Sequence, residues 1–155
     1  MTRVSLDGMS NLQRKRLFIS GSTPIPLNAV TSWSVKILKS LNNDGGDILI
    51  GVSRIAVDPD NDSVWCLGCY FSELFSKSVG EGKKPGRVYG PRKKEGEYVR
   101  TGDSVGAIMD TANGELSFIL NRANLGVAYE GIPLDKPLFP CVSLGKDGDS
   151  VELVV

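Results

Sequence analysis

Histidine is absent from the 155 residues of this chain. Its absence removes the commonest general base and a principal metal ligand. Ser-His-Asp and Cys-His nucleophile arrangements are therefore impossible. A closed zinc site needs four ligands. With three cysteines and no histidine, neither a metal nor a cofactor is expected. No apolar run comes near the roughly 18 residues that a membrane-spanning helix needs, so no membrane role is expected. The N-terminal stretch carries Arg3, Asp7, Arg14, Lys15 and Arg16 and lacks the apolar core of a secretory signal. The odd cysteine count points the same way, to a reducing, intracellular setting, cytoplasmic or nuclear. Net charge is also missing, because 18 basic residues balance 18 acidic ones. That argues against a dedicated nucleic-acid binder, which carries a basic excess.

What the chain has is glycine and proline in short rhythm. Its 18 glycines and 8 prolines punctuate short apolar or alternating runs, the signature of strands and tight turns. The length suits one domain spanning residues 1–155. Residues 16–20 form one run. In residues 31–39, Trp33, Val35 and Ile37 share one face while Ser32, Ser34 and Lys36 share the other. The turn cluster at 42–46 follows, then residues 47–53, apolar enough for a strand buried on both faces. These two runs read as a hairpin. Residues 64–71 are strand-like, and 70–76 read as the only stretch able to make a helical turn. Residues 77–94, rich in Gly and Pro, read as a loop. Then come 104–110, the Asn113-Gly114 turn, 115–121 with Leu116, Phe118 and Leu120 alternating inward, 124–129, 138–144 and 150–155. About ten or more short strands at this spacing predict an all-β fold, a two-layer antiparallel β-sandwich. Phe118, Leu120, Trp33, Ile37 and Ile50 are assigned to its core. Gly51 and Gly106, inside strands, mark bulges or close backbone approach, and Asn121 suits a turn.

Four blocks, DSVGAIMD at 103–110, GELSFILN at 114–121, LGVAY at 125–129 and PLFPCVSL at 137–144, resemble in order and spacing the C-terminal half of a SPRY domain. Upstream, WSVKI at 33–37, DILIGV at 47–52, Trp65 and YGP at 89–91 sit where that family has similar features. The resemblance covers residues 30–155, with 1–29 matching loosely. It implies a curved, jelly-roll-like two-sheet sandwich that catalyses nothing and binds a protein or peptide through loops at one rim. The same resemblance places the partner surface at Ser20 and Ser22, at Gly46, at Asp58, Asp60, Asn61 and Asp62, and at Leu144 and Lys146. These positions lack the aromatic and arginine anchors common in hot spots, and the acidic stretch at Asp58–Asp62 favours a basic partner. A monomer is expected.

Three other readings compete. Asp103 and Asp110 are candidates for a carboxylate pair of the glycosidase type, though both sit at strand ends and read as solvated turn acids. Cys66 and Cys69 have the spacing of a thioredoxin-type thiol pair. That chemistry needs a helix N-terminus at the first cysteine, and here the surroundings are strand-like, so small buried thiols are the simpler reading. Lys77, Lys83, Lys84, Arg87, Arg92, Lys93 and Lys94 face Glu81 alone within 77–94. That segment offers an alternative site for an acidic ligand or a nucleic acid, with Tyr89 as a stacking ring. A solvated loop accounts for it more simply.

Overall fold

The computed structural model describes residues 2–5, 17–21, 23–39, 48–54, 64–68, 73–78, 82–88, 101–144 and 150–154. Among these residues every regular element is a strand: β1 Thr2–Ser5, β2 Leu17–Ser20, β3 Val30–Lys39, β4 Leu49–Ser53, β5 Val64–Gly68, β6 Glu73–Ser78, β7 Gly82–Val88, β8 Ser104–Asp110, β9 Glu115–Leu120, β10 Ala123–Tyr129, β11 Phe139–Leu144 and β12 Ser150–Val154. They form two antiparallel sheets. One is ordered β1-β12-β3-β8-β9-β10 and the other β2-β11-β4-β5-β6-β7.

The first sheet follows from period-two alternation. In β8, Val105, Ala107 and Met109 point inward, and in β9 Leu116, Phe118 and Leu120 do the same. Trp33, Val35 and Ile37 of β3 join them. The second sheet faces this layer with Ile48, Ile50, Val52, Trp65, Leu67, Val142 and Leu144. Each such side chain contributes on the order of 1.5–3 kcal/mol on burial. β4 is buried along its whole length, as its unbroken apolar run predicts. Its second face holds a smaller cluster of Leu49, Val64, Cys66 and Cys141. Gly51 lies at the middle of this strand. A Cβ there would sit 1.9 Å from the Trp65 carbonyl oxygen and 2.7 Å from the Cys66 Cα, so the glycine marks a close backbone approach.

Three expectations are corrected. β3 and β4 are not a hairpin. β3 lies between β12 and β8, and β4 lies between β11 and β5 in the other sheet. The two strands differ in kind: β3 is apolar on one face, β4 on both, and each pairs where its faces are covered. The turn cluster at 42–46 lies outside the described residues. Next, the helical turn expected at 70–76 is replaced from Glu73 onward by β6, which pairs back on β5 with Gly68 opposite Glu73. Long-range pairing overrides the weak local preference. Finally, 77–94 is not one loop. Lys77 and Ser78 complete β6, and Gly82–Val88 forms β7 at the sheet edge. Pro85 and two glycines hide the strand signal, but an edge strand tolerates a residue without an N–H.

Connections gather at the two ends of the sandwich. At one end β2 stops, β3 begins, β4 and β8 stop, β9 begins, β10 stops and β11 begins. Residues 21–29 and 130–138 pass between the sheets there. The opposite end holds the two-residue turn of Asn121 and Arg122, both at positive φ, 50° and 90°, which suits a tight β9–β10 hairpin.

Candidate interaction surface

The crossover at residues 21–29 is tied down at several points. The Gly21 N–H donates to the Pro140 carbonyl at 2.8 Å, and the Ile25 N–H to the Leu138 carbonyl at 2.7 Å. Ile25 itself is buried in the core. Thr111, first residue of the β8–β9 turn, then closes the far side. Its hydroxyl donates to the Pro26 carbonyl at 2.6 Å and accepts the Ala29 N–H at 3.1 Å. Its own N–H reaches the Ala29 carbonyl at 2.9 Å. The tip between these anchors is Leu27-Asn28, with Asn28 at φ 53°. Leu27 is 62% exposed, held out on a turn whose base is fixed.

Residues 130–138 flank this tip. The Ile132 N–H donates to the Gly114 carbonyl at 3.0 Å. At the end of β4, Arg54 Nη2 donates to Asp135 Oδ1 at 2.8 Å, and its guanidinium carbon lies 5.9 Å from the centroid of the Trp65 ring. Asp135 is 67% exposed, so the pair adds little stability in water and chiefly orients this loop. Below, the Tyr129 hydroxyl donates to the Cys66 carbonyl at 2.7 Å, joining the end of β10 to the opposite sheet.

The turn acids are structural. Asp110 accepts from the Ala112 N–H at 2.9 Å, the Asn113 N–H at 3.1 Å and Asn113 Nδ2 at 2.9 Å. The Asn113 side-chain amide does most to hold the Asp110 carboxyl below its ordinary range, with its backbone partners helping and partial desolvation opposing. Asp103 accepts from Asn121 Nδ2 at 3.0 Å, while the Ser104 N–H donates to Asn121 Oδ1 at 2.9 Å. The two acids bracket β8 and stand roughly 20 Å apart, too far for paired carboxylate chemistry.

Of the positions expected to bind, Ser20 ends β2 opposite Cys141, beside the crossover at 21–29. Ser22, Asp58, Asp60, Asn61 and Asp62 lie outside the described residues. β4 ends and β5 begins at this same end, with Ser53 opposite Val64. Leu144 is a correction: it is 0% exposed, a core side chain at the opposite end of β11. Gly46 and Lys146 also lie outside the described residues. Of the expected positions, the described residues thus place Ser20 at this end and Leu144 in the core. Residues 23–29 and Thr111 were not among them, although Pro24-Ile25-Pro26-Leu27 carried a signal. Two prolines stiffen the backbone around one buried and one exposed apolar residue.

Cys66 is buried on β5, with its sulfur 3.8 Å from that of Cys141 on β11. β4 runs between those strands, so their Cα atoms are roughly 9.5 Å apart, beyond the ~7 Å a disulfide spans. No helix begins at Cys66, and Cys69 lies outside the described residues. Lys83, Lys84 and Arg87 fall on the edge strand β7.

A SPRY-domain family model matches residues 30–155. The chain belongs to the SPRY domain family. Its sandwich is similar to the SPRY domain of human HERC1, at 21% identity and TM-score 0.67 over 90% of this chain and 82% of that one. A human SPRY domain aligns over 98% of this chain and 90% of its own, at 18% identity and TM-score 0.70. The TRIM65 PSpry domain aligns over 89% and 70%, at 16% identity and TM-score 0.57. At these identities the likeness speaks to the SPRY fold alone. No curated protein matches the sequence. SPRY domains are protein-interaction modules and generally not enzymes.

Proposed function

We propose that this SPRY domain recruits a protein or peptide partner through the rim built by residues 21–29, 111–114 and 130–138, and performs no chemistry itself. The acidic segment containing Asp58, Asp60, Asn61 and Asp62, with Ser20 and Ser22, belongs to the same rim in this reading. β1 and β2 pair with β12 and β11, which supports treating residues 1–155 as one binding domain.

The observation that carries the proposal is the exposed Leu27 on its Thr111-anchored turn. Recognition surfaces sit on loops positioned by a rigid scaffold, and a fixed apolar tip binds with less ordering cost than a mobile one. The test is affinity capture with the domain, beside Leu27→Asp and a variant with Asp58, Asp60 and Asp62 changed to serine. A specific protein captured by the native domain and lost with either variant supports the rim. A protein retained by both variants removes the site from this end of the sandwich.

A further inference from the structure

The geometry points to the chemistry of the partner: a peptide segment carrying a lysine or arginine next to an apolar side chain. It rests on the rim reading above. Among the described residues the large apolar side chains standing exposed are Leu27, Val30 and Val127. Two of these, Leu27 and Val30 at 62% and 66%, are three residues apart, the first on the turn and the second opening β3. Neither exposure serves the core, which the same segment already supplies with Ile25.

Charge identifies what would cover them. Val30 pairs with Asp110, and Asp110 pairs with Glu115. All three alternate with core-facing residues, so they form one row on the outer face of the first sheet. Directly opposed neighbours in such a row have Cβ atoms about 5 Å apart, and like charges placed so repel. Asp110 keeps its negative charge because the Asn113 amide favours the ionised carboxyl. Neither acid has an ion-pair partner among the described residues. The row therefore reads apolar, negative, negative, and Leu27 lies three residues before Val30 on the turn that leads into β3. An arriving cation would relieve the Asp110–Glu115 repulsion while a neighbouring apolar group covers Val30 and Leu27. Exposed Glu130 adds a negative charge to the same rim, with exposed Lys136 nearby, while Asp135 is already paired with Arg54.

The experiment is selection of a phage-displayed random dodecapeptide library on the native domain, followed by fluorescence anisotropy with the most enriched synthetic peptide. The expected pool is rich in Lys or Arg beside Leu, Ile, Val or Phe. Glu115→Lys and Val30→Lys should each weaken the peptide about tenfold or more, as loss of an interface anchor does. Glu115→Gln should give an intermediate loss, and added salt should weaken native binding. Both positions face solvent, and unchanged thermal unfolding of each variant separates lost contact from lost fold. A pool without basic enrichment, an empty pool, or peptides that bind both lysine variants undiminished would overturn the inference. A self-associating domain whose dimer is broken by Val30→Lys would also overturn it, making a second copy the occupant. In each of these cases the rim reading is still judged separately, by whether Leu27→Asp abolishes protein capture.

Discussion

Changing Thr111 to valine keeps the side chain's shape and removes one oxygen. The native hydroxyl serves two backbone groups, the Pro26 carbonyl and the Ala29 N–H. Valine leaves both without this partner, and no cavity forms because the methyl replaces the hydroxyl almost volume for volume. An orphaned buried polar group costs about 1–3 kcal/mol. These two are only partly buried, which places each near the low end, so the sum is about 2 kcal/mol. For a domain of this length that corresponds to a fall in Tm of about 4–8 °C. Thermal unfolding followed by circular dichroism reads the shift directly. Urea unfolding should show a lower midpoint with unchanged slope, since the exposed surface is the same. Thr111→Ser, which keeps the oxygen, should retain most of the stability. A valine variant within about 1 °C of native would refute the reasoning, because the crossover would then be held by its other anchors and Leu27 would not depend on Thr111.

Gly51→Ala should be among the most damaging single-methyl changes, at about 3 kcal/mol or more, because the added Cβ meets backbone atoms that cannot turn aside; insoluble or unfolded protein on expression checks this, and a native Tm contradicts it. Arg122→Gly should leave the domain as stable or raise it by up to about 1 kcal/mol, since φ 90° at Arg122 is a conformation glycine adopts freely; differential scanning calorimetry decides. Asp110 has a folded pKa below its ordinary 3.8, so its contribution is complete above that value and is lost as pH falls through the depressed one. Asp110→Asn should therefore narrow the drop in Tm between about pH 6 and about pH 3, and an unchanged drop would show that Asp110 does not contribute to it.

Strand existence was legible wherever one face was apolar and the other polar. β8 and β9 follow from Val105, Ala107, Met109, Leu116, Phe118 and Leu120, and the hairpin from Asn113-Gly114. The SPRY resemblance rested on the same blocks and extended to the residues that the family model matches. Pairing was less legible. Nothing in residues 31–39 names β12 and β8 as neighbours, because that choice depends on which faces distant strands leave uncovered. β7 was hidden by Pro85, Gly82 and Gly86, residues that weaken strand patterns and yet sit comfortably at an edge. The candidate site was the least legible part. Leu144 looked like the start of a surface loop because it is the last apolar residue of its run, and only the inward parity of β11 shows it to be core. Leu27 and Thr111 meet through a hydrogen-bonded turn across 82 or more residues of chain, a relation no local pattern encodes.

The order of the sheets also sets a timetable for synthesis. β12 lies between β1 and β3, and β11 lies between β2 and β4. The strands made last are thus inserted among the strands made first, in both layers. Until β11 and β12 have been made, β1 through β10 leave a gap in each sheet. Non-local closure of this kind is slow, in the millisecond-to-second range, and exposed strand edges in the interval invite aggregation. Chaperone capture of the nascent chain, released on completion of β12, is the expected companion of this topology.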